Sequence, residues 1–257
     1  MSAVPRVVVV SGGGTGMGRA VAKAFAALGD QVIVVGRRAD VLERAAAEIS
    51  AGSPGPAAQP VVADLAEPDQ VRKVETAVRD EHGRVDVLVA CAGGNVLLGD
   101  DHDESDELAF EAWHWLENFR SNVLTAVLLV EALRDLLAAP GGRVVLVSSI
   151  AAYRGSGRGS YAGAKAALHP YAFDLAADLG PKGITVNVVA PGYISGTEFF
   201  AGGLRPERER ALVEETLTER AGTPEDVAEA VLWLAAPESG QVTAQIVQVN
   251  GGAFLGR

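Results

Sequence analysis

Short, wholly apolar runs recur along the chain, each followed by a glycine- or polar-rich turn and then by a longer segment with apolar residues at helical spacing. RVVVV at 6–10 is the first of these runs. It is β-branched and has no polar alternation, the pattern of a strand buried on both faces of a parallel sheet. RAVAKAFAALG follows the turn, with Val21, Phe25 and Leu28 on one helical stripe and Gly29 as the stop. The same reading predicts strands near 6–10, 31–35, 60–63, 85–90, 143–148, 184–190 and 246–249. It predicts helices over 16–28, 38–50, 68–82, 108–138 (broken), 160–179, 206–217 and 224–235. Such alternation predicts an α/β fold: a doubly wound, seven-stranded parallel sheet with helices on both faces. AGSPGPAAQP at 51–60 is a turn-rich link rather than a domain boundary, because no compact unit is complete before it. Pro170 falls inside the helix over 160–179 and is expected to bend or break it.

Two places carry candidate chemistry. SGGGTGMG, 11–18, lies between the first strand and the first helix, with the spacing Gly12-x-x-x-Gly16-x-Gly18. Glycines there let backbone approach a phosphate, and a helix N-terminus favours its charge. The spacing is neither G-x-G-x-x-G nor a P-loop. In SYAGAKAAL, Tyr161 and Lys165 are four apart and share one helix face. A nearby ammonium is expected to lower the phenol's pKa, so that it gives or takes a proton near neutral pH. Ser148 or Ser149, closing the strand VVLVSSI, is placed to hold a carbonyl oxygen against that phenol.

Composition narrows the classes. The 257 residues are 48% hydrophobic and 21% charged, suited to one large soluble domain. The net charge of −11, without a long basic cluster, argues against a nucleic-acid partner. No apolar stretch approaches the ~20 residues that span a bilayer. No secretory leader pattern opens the chain, and the single Cys91 fits a reducing cytoplasm. Cys91 is read as a small packed thiol rather than a nucleophile. The acidic run DDHDESDE, 100–107, is read as a solvated loop or helix start rather than a metal site.

Taken together, these segments resemble the short-chain dehydrogenase/reductase family in its compact, ketoacyl-reductase-like form, nearly end to end. The matching stretches are SGGGTGMG, Asp64 in VVADL, Cys91-Ala92-Gly93 after VDVLVA and Asn122 in FRSNVLTAV. They continue with Ser148-Ser149, Tyr161, Lys165, Pro191-Gly192 in VNVVAPGYI and Asn250-Gly251-Gly252. The resemblance implies a single Rossmann domain over 1–257, with a cofactor half to about 140 and a catalytic half from about 141. It places a nicotinamide dinucleotide against Ser11, Gly12, Gly14, Thr15, Gly16, Met17 and Gly18, against Arg37 and Arg38, and against Asp64 and Leu65. Further contacts fall to Cys91, Ala92, Gly93, Tyr161, Lys165, Pro191, Gly192, Ile194 and Thr197. Asn122, Ser149, Tyr161 and Lys165 form the implied catalytic set. Counting thirteen residues back from the tyrosine gives Ser148, but the offsets to Ala152 and Gly155 favour Ser149, and adjacent strand residues face opposite ways. Trp115, seven residues before Asn122, matches the family's Trp…Asn spacing. Ala90-Cys91 departs from the usual Asn-Asn.

The second strand ends in Gly36-Arg37-Arg38 rather than in an acidic residue, which suits a 2′-phosphate and so NADP(H) over NAD(H). The two arginines alternatively only solvate a helix start. The expected function is NADP(H)-dependent interconversion of a ketone and a secondary alcohol. The alternatives are an NAD-dependent alcohol dehydrogenase of the same fold and a non-catalytic nucleotide sensor. A small-molecule carbonyl or alcohol is the expected substrate, with no metal, no membrane and a homotetrameric or homodimeric assembly. Leu97, Leu98, Tyr153, Tyr193 and Phe199 suggest an apolar or extended substrate. Segment 195–210 is a lid or a variable surface loop.

Overall fold

The apolar runs form the strands. The computed structural model describes residues 4–96, 106–200 and 204–256. β1 (Val7–Ser11), α1 (Gly16–Ala27), β2 (Gln31–Gly36), α2 (Ala39–Ala51), β3 (Gln59–Val62), α3 (Pro68–Glu81) and β4 (Val87–Ala90) make the first half. α4 (Glu107–Phe119), a π-helical turn (Arg120–Leu124) and α5 (Thr125–Leu133) lead to β5 (Arg143–Val147). α6 (Ala151–Arg154), α7 (Ser160–Leu179), β6 (Thr185–Pro191), α8 (Pro206–Glu214), α9 (Pro224–Leu234) and β7 (Ile246–Val249) complete the chain.

All seven strands are parallel, in the order β3-β2-β1-β4-β5-β6-β7. The chain winds outward from β1 to β3, then returns to start again at β4, beside β1. Ligands in such sheets bind at the strands' carboxyl ends where the winding reverses. Here that crevice lies between the glycine loop after β1 and residues 91–94 after β4.

Strand alternation divides the core into two layers. Val7 and Val9 pack with α3, α5 and α7, whereas Val8 and Val10 pack with α1, α2 and α9. Both faces are covered, so every residue of β1 is buried, and that is why the strand carries no polar alternation.

Two local expectations are corrected and a third takes a definite form. Leu28 is exposed rather than on the buried stripe, because α1 stops at Ala27 and Gly29 turns away with φ +87°. The expected break within 108–138 is a π turn centred on Asn122, a device frequent at functional sites. Pro170 does not interrupt α7, which runs through it for 20 residues. Its ring sits on the exposed face, where the missing amide removes one helix bond. No helix among the described residues is long and apolar enough to cross a membrane.

Replacing Pro170 by Ala restores an amide donor to the middle of α7. Stability should rise by about 1–2 kcal/mol, the helix gain less the lost restriction of the unfolded chain. Urea denaturation of the two proteins measures it. A fall in stability would show that the proline ring itself contributes to packing.

Candidate active site

The glycine loop is held by close backbone contacts. Ser11 Oγ accepts the N–H groups of both Cys91 and Ala92 at 3.0 Å, joining the ends of β1 and β4. Gly12 has φ +67°, and a Cβ on it would lie 3.1 Å from the Ala92 backbone. A Cβ on Gly18 would lie 2.3 Å from the Gly12 carbonyl oxygen, so the first turn of α1 packs directly on the loop. The Thr15 side chain makes no cap bond, and α1 has no acidic residue in its first turn. The first amides of the helix are therefore left without a side-chain cap beside the crevice, an arrangement that suits phosphate.

A cavity of about 480 Å³ opens from this loop, within the range of cofactor sites. Of the expected contacts, Gly12, Gly14, Thr15, Arg37, Arg38, Asp64, Leu65, Ala92 and Gly93 line it. Ser11 and Gly18 support the loop from below, and Met17 packs against the core. Tyr161, Lys165, Cys91, Pro191, Gly192, Ile194, Thr197 and Gly16 lie outside this cavity. Thr197 lies beside Gly16, with its methyl 3.4 Å from where a Cβ of that glycine would stand.

Sequence reasoning missed the far wall. Glu117, Arg120 and Ser121, from α4 and the π turn, line the cavity opposite the glycines. Arg120 Nη2 lies 3.4 Å from Asp64 Oδ2 and 2.5 Å from Glu67 Oε1. The other Asp64 oxygen accepts the Ala66 N–H at 3.0 Å. Nothing in the local pattern around Arg120 signals these partners.

At the other end of the crevice the four expected catalytic residues converge. Asn122, fully buried in the π turn, clamps Gly94: its Oδ1 accepts the Gly94 N–H (3.0 Å) and its Nδ2 donates to the Gly94 carbonyl (2.8 Å). Lys165 is also buried and donates from Nζ to the Val147 carbonyl at 2.9 Å. Tyr161 is buried on the same helix, with Ser149 near enough to lower its pKa and Phe199 packed 5.5 Å from its ring. The two serines separate. Ser149 faces Tyr161, while Ser148 donates to the Lys165 carbonyl (2.9 Å) and contacts His169 Nε2 (2.8 Å) behind α7. With its own proton given to that carbonyl, Ser148 accepts from His169, which fixes the proton on Nε2.

Burial controls the titrations. Desolvation pushes Tyr161 up to about 12, against the Ser149 hydrogen bond and with a smaller upward push from Cys91. Desolvation pulls Lys165 down to about 8, opposed by Cys91. It raises Cys91 to about 11, opposed by Lys165, so the thiol stays protonated. This corrects the expectation that the Lys165 ammonium acidifies Tyr161. Nζ is turned to a strand carbonyl and stands 6.0 Å from the ring centroid, and loss of water outweighs it.

A second polar group escaped the sequence reading. Asn118 Nδ2 donates to Ser160 Oγ at 3.2 Å, and Ser160 contacts the His114 ring at 3.1 Å. Ser160 opens α7, so this trio grips the turn that carries Tyr161. Burial lowers the His114 pKa. Asn118 stands four residues before Asn122, the one spacing that hinted at it. Trp115 packs beside Gly163, where a Cβ would come within 3.0 Å of the indole. No group of three or more potential metal ligands occurs among the described residues. Leu97, Leu98 and 100–105 of the acidic run lie outside those residues.

A sheet of this order with a glycine loop at its switch point and a serine, tyrosine and lysine at the adjoining strand ends defines a nucleotide-dependent oxidoreductase. Residues 12–253 match the family model described as enoyl-(acyl carrier protein) reductase. The chain belongs to the short-chain dehydrogenase/reductase family and is an NAD(P)-dependent oxidoreductase. It is 34% identical to the short-chain reductase protein NovJ of Streptomyces niveus, over 96% of this chain and 93% of that one. It is 29% identical to the 3-oxoacyl-[acyl-carrier-protein] reductase FabG of Vibrio cholerae, over 97% and 98%. A solved 7α-hydroxysteroid dehydrogenase, complexed with NADH and 7-oxo glycochenodeoxycholic acid, superposes with a TM-score of 0.84 at 28% identity, over 96% of this chain and 93% of that one.

The Lys165 shift has a measurable sign. Its pKa is depressed in the fold, so between pH 8 and the ordinary lysine value of 10.5 the unfolded chain binds more protons. Its contribution to stability therefore rises with pH from about 8, by at most about 1.4 kcal/mol per unit. From about pH 9 the raised Cys91 opposes it, and above pH 10 the raised Tyr161 does so too, because in the unfolded chain the thiol and the phenol ionise first. Between pH 7.5 and 9.5 the native protein should gain stability relative to Lys165→Met as pH rises, read from the difference of their urea midpoints. Parallel slopes would show that Lys165 titrates as in water.

Proposed function

We propose that the protein is an NADP(H)-dependent reductase that interconverts a ketone and a secondary alcohol, with Tyr161 as general acid and base. The observation that carries this reading is the placing of Ser149 beside the buried Tyr161, near enough to lower the phenol's pKa, which brings two hydroxyl groups to bear on one oxygen position. Such a pair suits a carbonyl oxygen better than an isolated carbon–carbon double bond. The relatives' names, 3-oxoacyl reductase and hydroxysteroid dehydrogenase, agree with carbonyl chemistry.

The residues fit a nicotinamide dinucleotide: Gly12 and Gly18 leave no room for side chains, the amides of α1 are uncapped, and the cavity spans Arg37, Arg38 and Asp64. When bound, that cofactor supplies or accepts the hydride. Arg37 and Arg38 offer positive charge to a 2′-phosphate, and Gly36 offers no carboxylate to a free 2′-hydroxyl. Tyr161, held up to about 12, is protonated at neutral pH and stands ready to give its proton to an oxygen gaining negative charge. Ser149 donates to the same oxygen. Lys165 closes the floor below Tyr161, and Asn122 fixes the 93–94 loop that abuts Lys165. Phe199, Phe200 and Tyr193 stack in series beside Tyr161, an apolar wall for the substrate.

A panel of ketones assayed by NADPH absorbance tests the reading. Tyr161→Phe should lower kcat by about 10²–10⁴-fold while leaving NADPH binding intact. Ser149→Ala should cost about 10²-fold, and Ser148→Ala much less. Unchanged turnover in Tyr161→Phe would remove the phenol from the chemistry.

A further inference from the structure

Arg38, one of the two cations at the proposed 2′-phosphate position, does not face the cavity free. Its Nη2 donates to Glu198 Oε2 at 2.7 Å, across 160 residues of sequence. Both side chains are more than half exposed, 58% and 60%. Glu198 is anchored by its neighbours. Thr197 lies beside Gly16 of the glycine loop, and Phe199 packs on Tyr161 and Phe200. Three consecutive residues thus meet the pyrophosphate loop, the arginine and the tyrosine in turn. This carboxylate is carried on a segment held at both flanks.

We propose that Glu198 sets cofactor selectivity by competing with the 2′-phosphate of the dinucleotide for the Arg38 guanidinium. The inference rests on the reading of Arg38 as a 2′-phosphate ligand. A phosphate carries more charge than a carboxylate and binds the guanidinium fork with two oxygens, so it displaces Glu198. An exposed ion pair is weak and alters a binding constant only about two- to fivefold when it must be broken. Glu198 therefore reduces affinity for NADP(H) by that factor. It leaves NAD(H) unaffected, because a ribose 2′-hydroxyl does not require Arg38 to be released. The protein discriminates between the two cofactors less than its paired arginines alone would dictate.

Isothermal titration of NADPH and NADH into the native protein, Glu198→Gln, Arg38→Ala and the double variant tests this. Both positions are exposed, so the substitutions leave folding undisturbed. Glu198→Gln should bind NADPH about threefold tighter and NADH unchanged, and the gain should vanish in the Arg38→Ala background. Arg38→Ala alone should weaken NADPH about tenfold or more and spare NADH. If Arg38→Ala weakens NADPH but Glu198→Gln does not tighten it, the competition is refuted and the NADP(H) reading stands. If Arg38→Ala affects neither cofactor, the competition is refuted; if the native protein binds NADPH no more tightly than NADH, the NADP(H) reading is refuted.

Discussion

The site is organised around the backbone of Gly93. Its φ is +152°, and a Cβ there would stand 2.5 Å from Asn122 Oδ1 and 3.1 Å from Lys165 Nζ. Three elements distant in sequence therefore meet over one residue without a side chain: the loop after β4, the π turn and α7. Any side chain at this point would push Asn122 off Gly94 or Lys165 off the Val147 carbonyl. Either movement reaches Tyr161, because Lys165 is one helical turn away on the same face. The π turn belongs to the same constraint, since it is where the Asn122 amide leaves its helix to bind Gly94 through both donor and acceptor.

Close approach of backbones excludes water, and exclusion of water sets the chemistry. Tyr161, Lys165 and Cys91 are each shifted towards their neutral forms, with burial as the largest cause in every case. The Tyr161 end thus holds a protonated phenol and thiol beside one ammonium whose proton burial has loosened. The nucleotide end instead has exposed arginines and an uncapped helix terminus. A dinucleotide laid between them would place its phosphates at the exposed, charged end and its reacting ring at the buried one.

Much of this was legible in the chain. RVVVV and its counterparts announced strands buried on two faces because no polar alternation interrupted them, and the glycine spacing announced a backbone too close for side chains. The offsets to Ala152 and Gly155 favoured Ser149 over Ser148 from the chain alone. That choice turned on which side chain faces Tyr161, and neighbouring residues at a strand end diverge. Tyr161 and Lys165 were correctly placed on one face, but spacing carries no information about where a long side chain turns. Lys165 turned to the Val147 carbonyl, and the expected acidification of the phenol did not follow. Arg120 and Glu198 were illegible for a different reason. Their partners lie 56 and 160 residues away, and no local pattern encodes such a meeting.

The two halves of the domain are joined at the sheet and again at residues 197–199, which touch Gly16, Arg38 and Tyr161 in succession. A segment touching all three cannot respond to one without disturbing the others, because neighbouring residues along a chain are only 3.8 Å apart. If Arg38 takes the 2′-phosphate as proposed, cofactor choice and access to Tyr161 share this one segment. Sequence change in 195–200 would be expected to alter both together, whereas change at the glycine loop or at Gly93 would abolish the site. Substrate range in such a scaffold is free to vary at the segment, while the reaction itself is fixed by the backbone contacts beneath it.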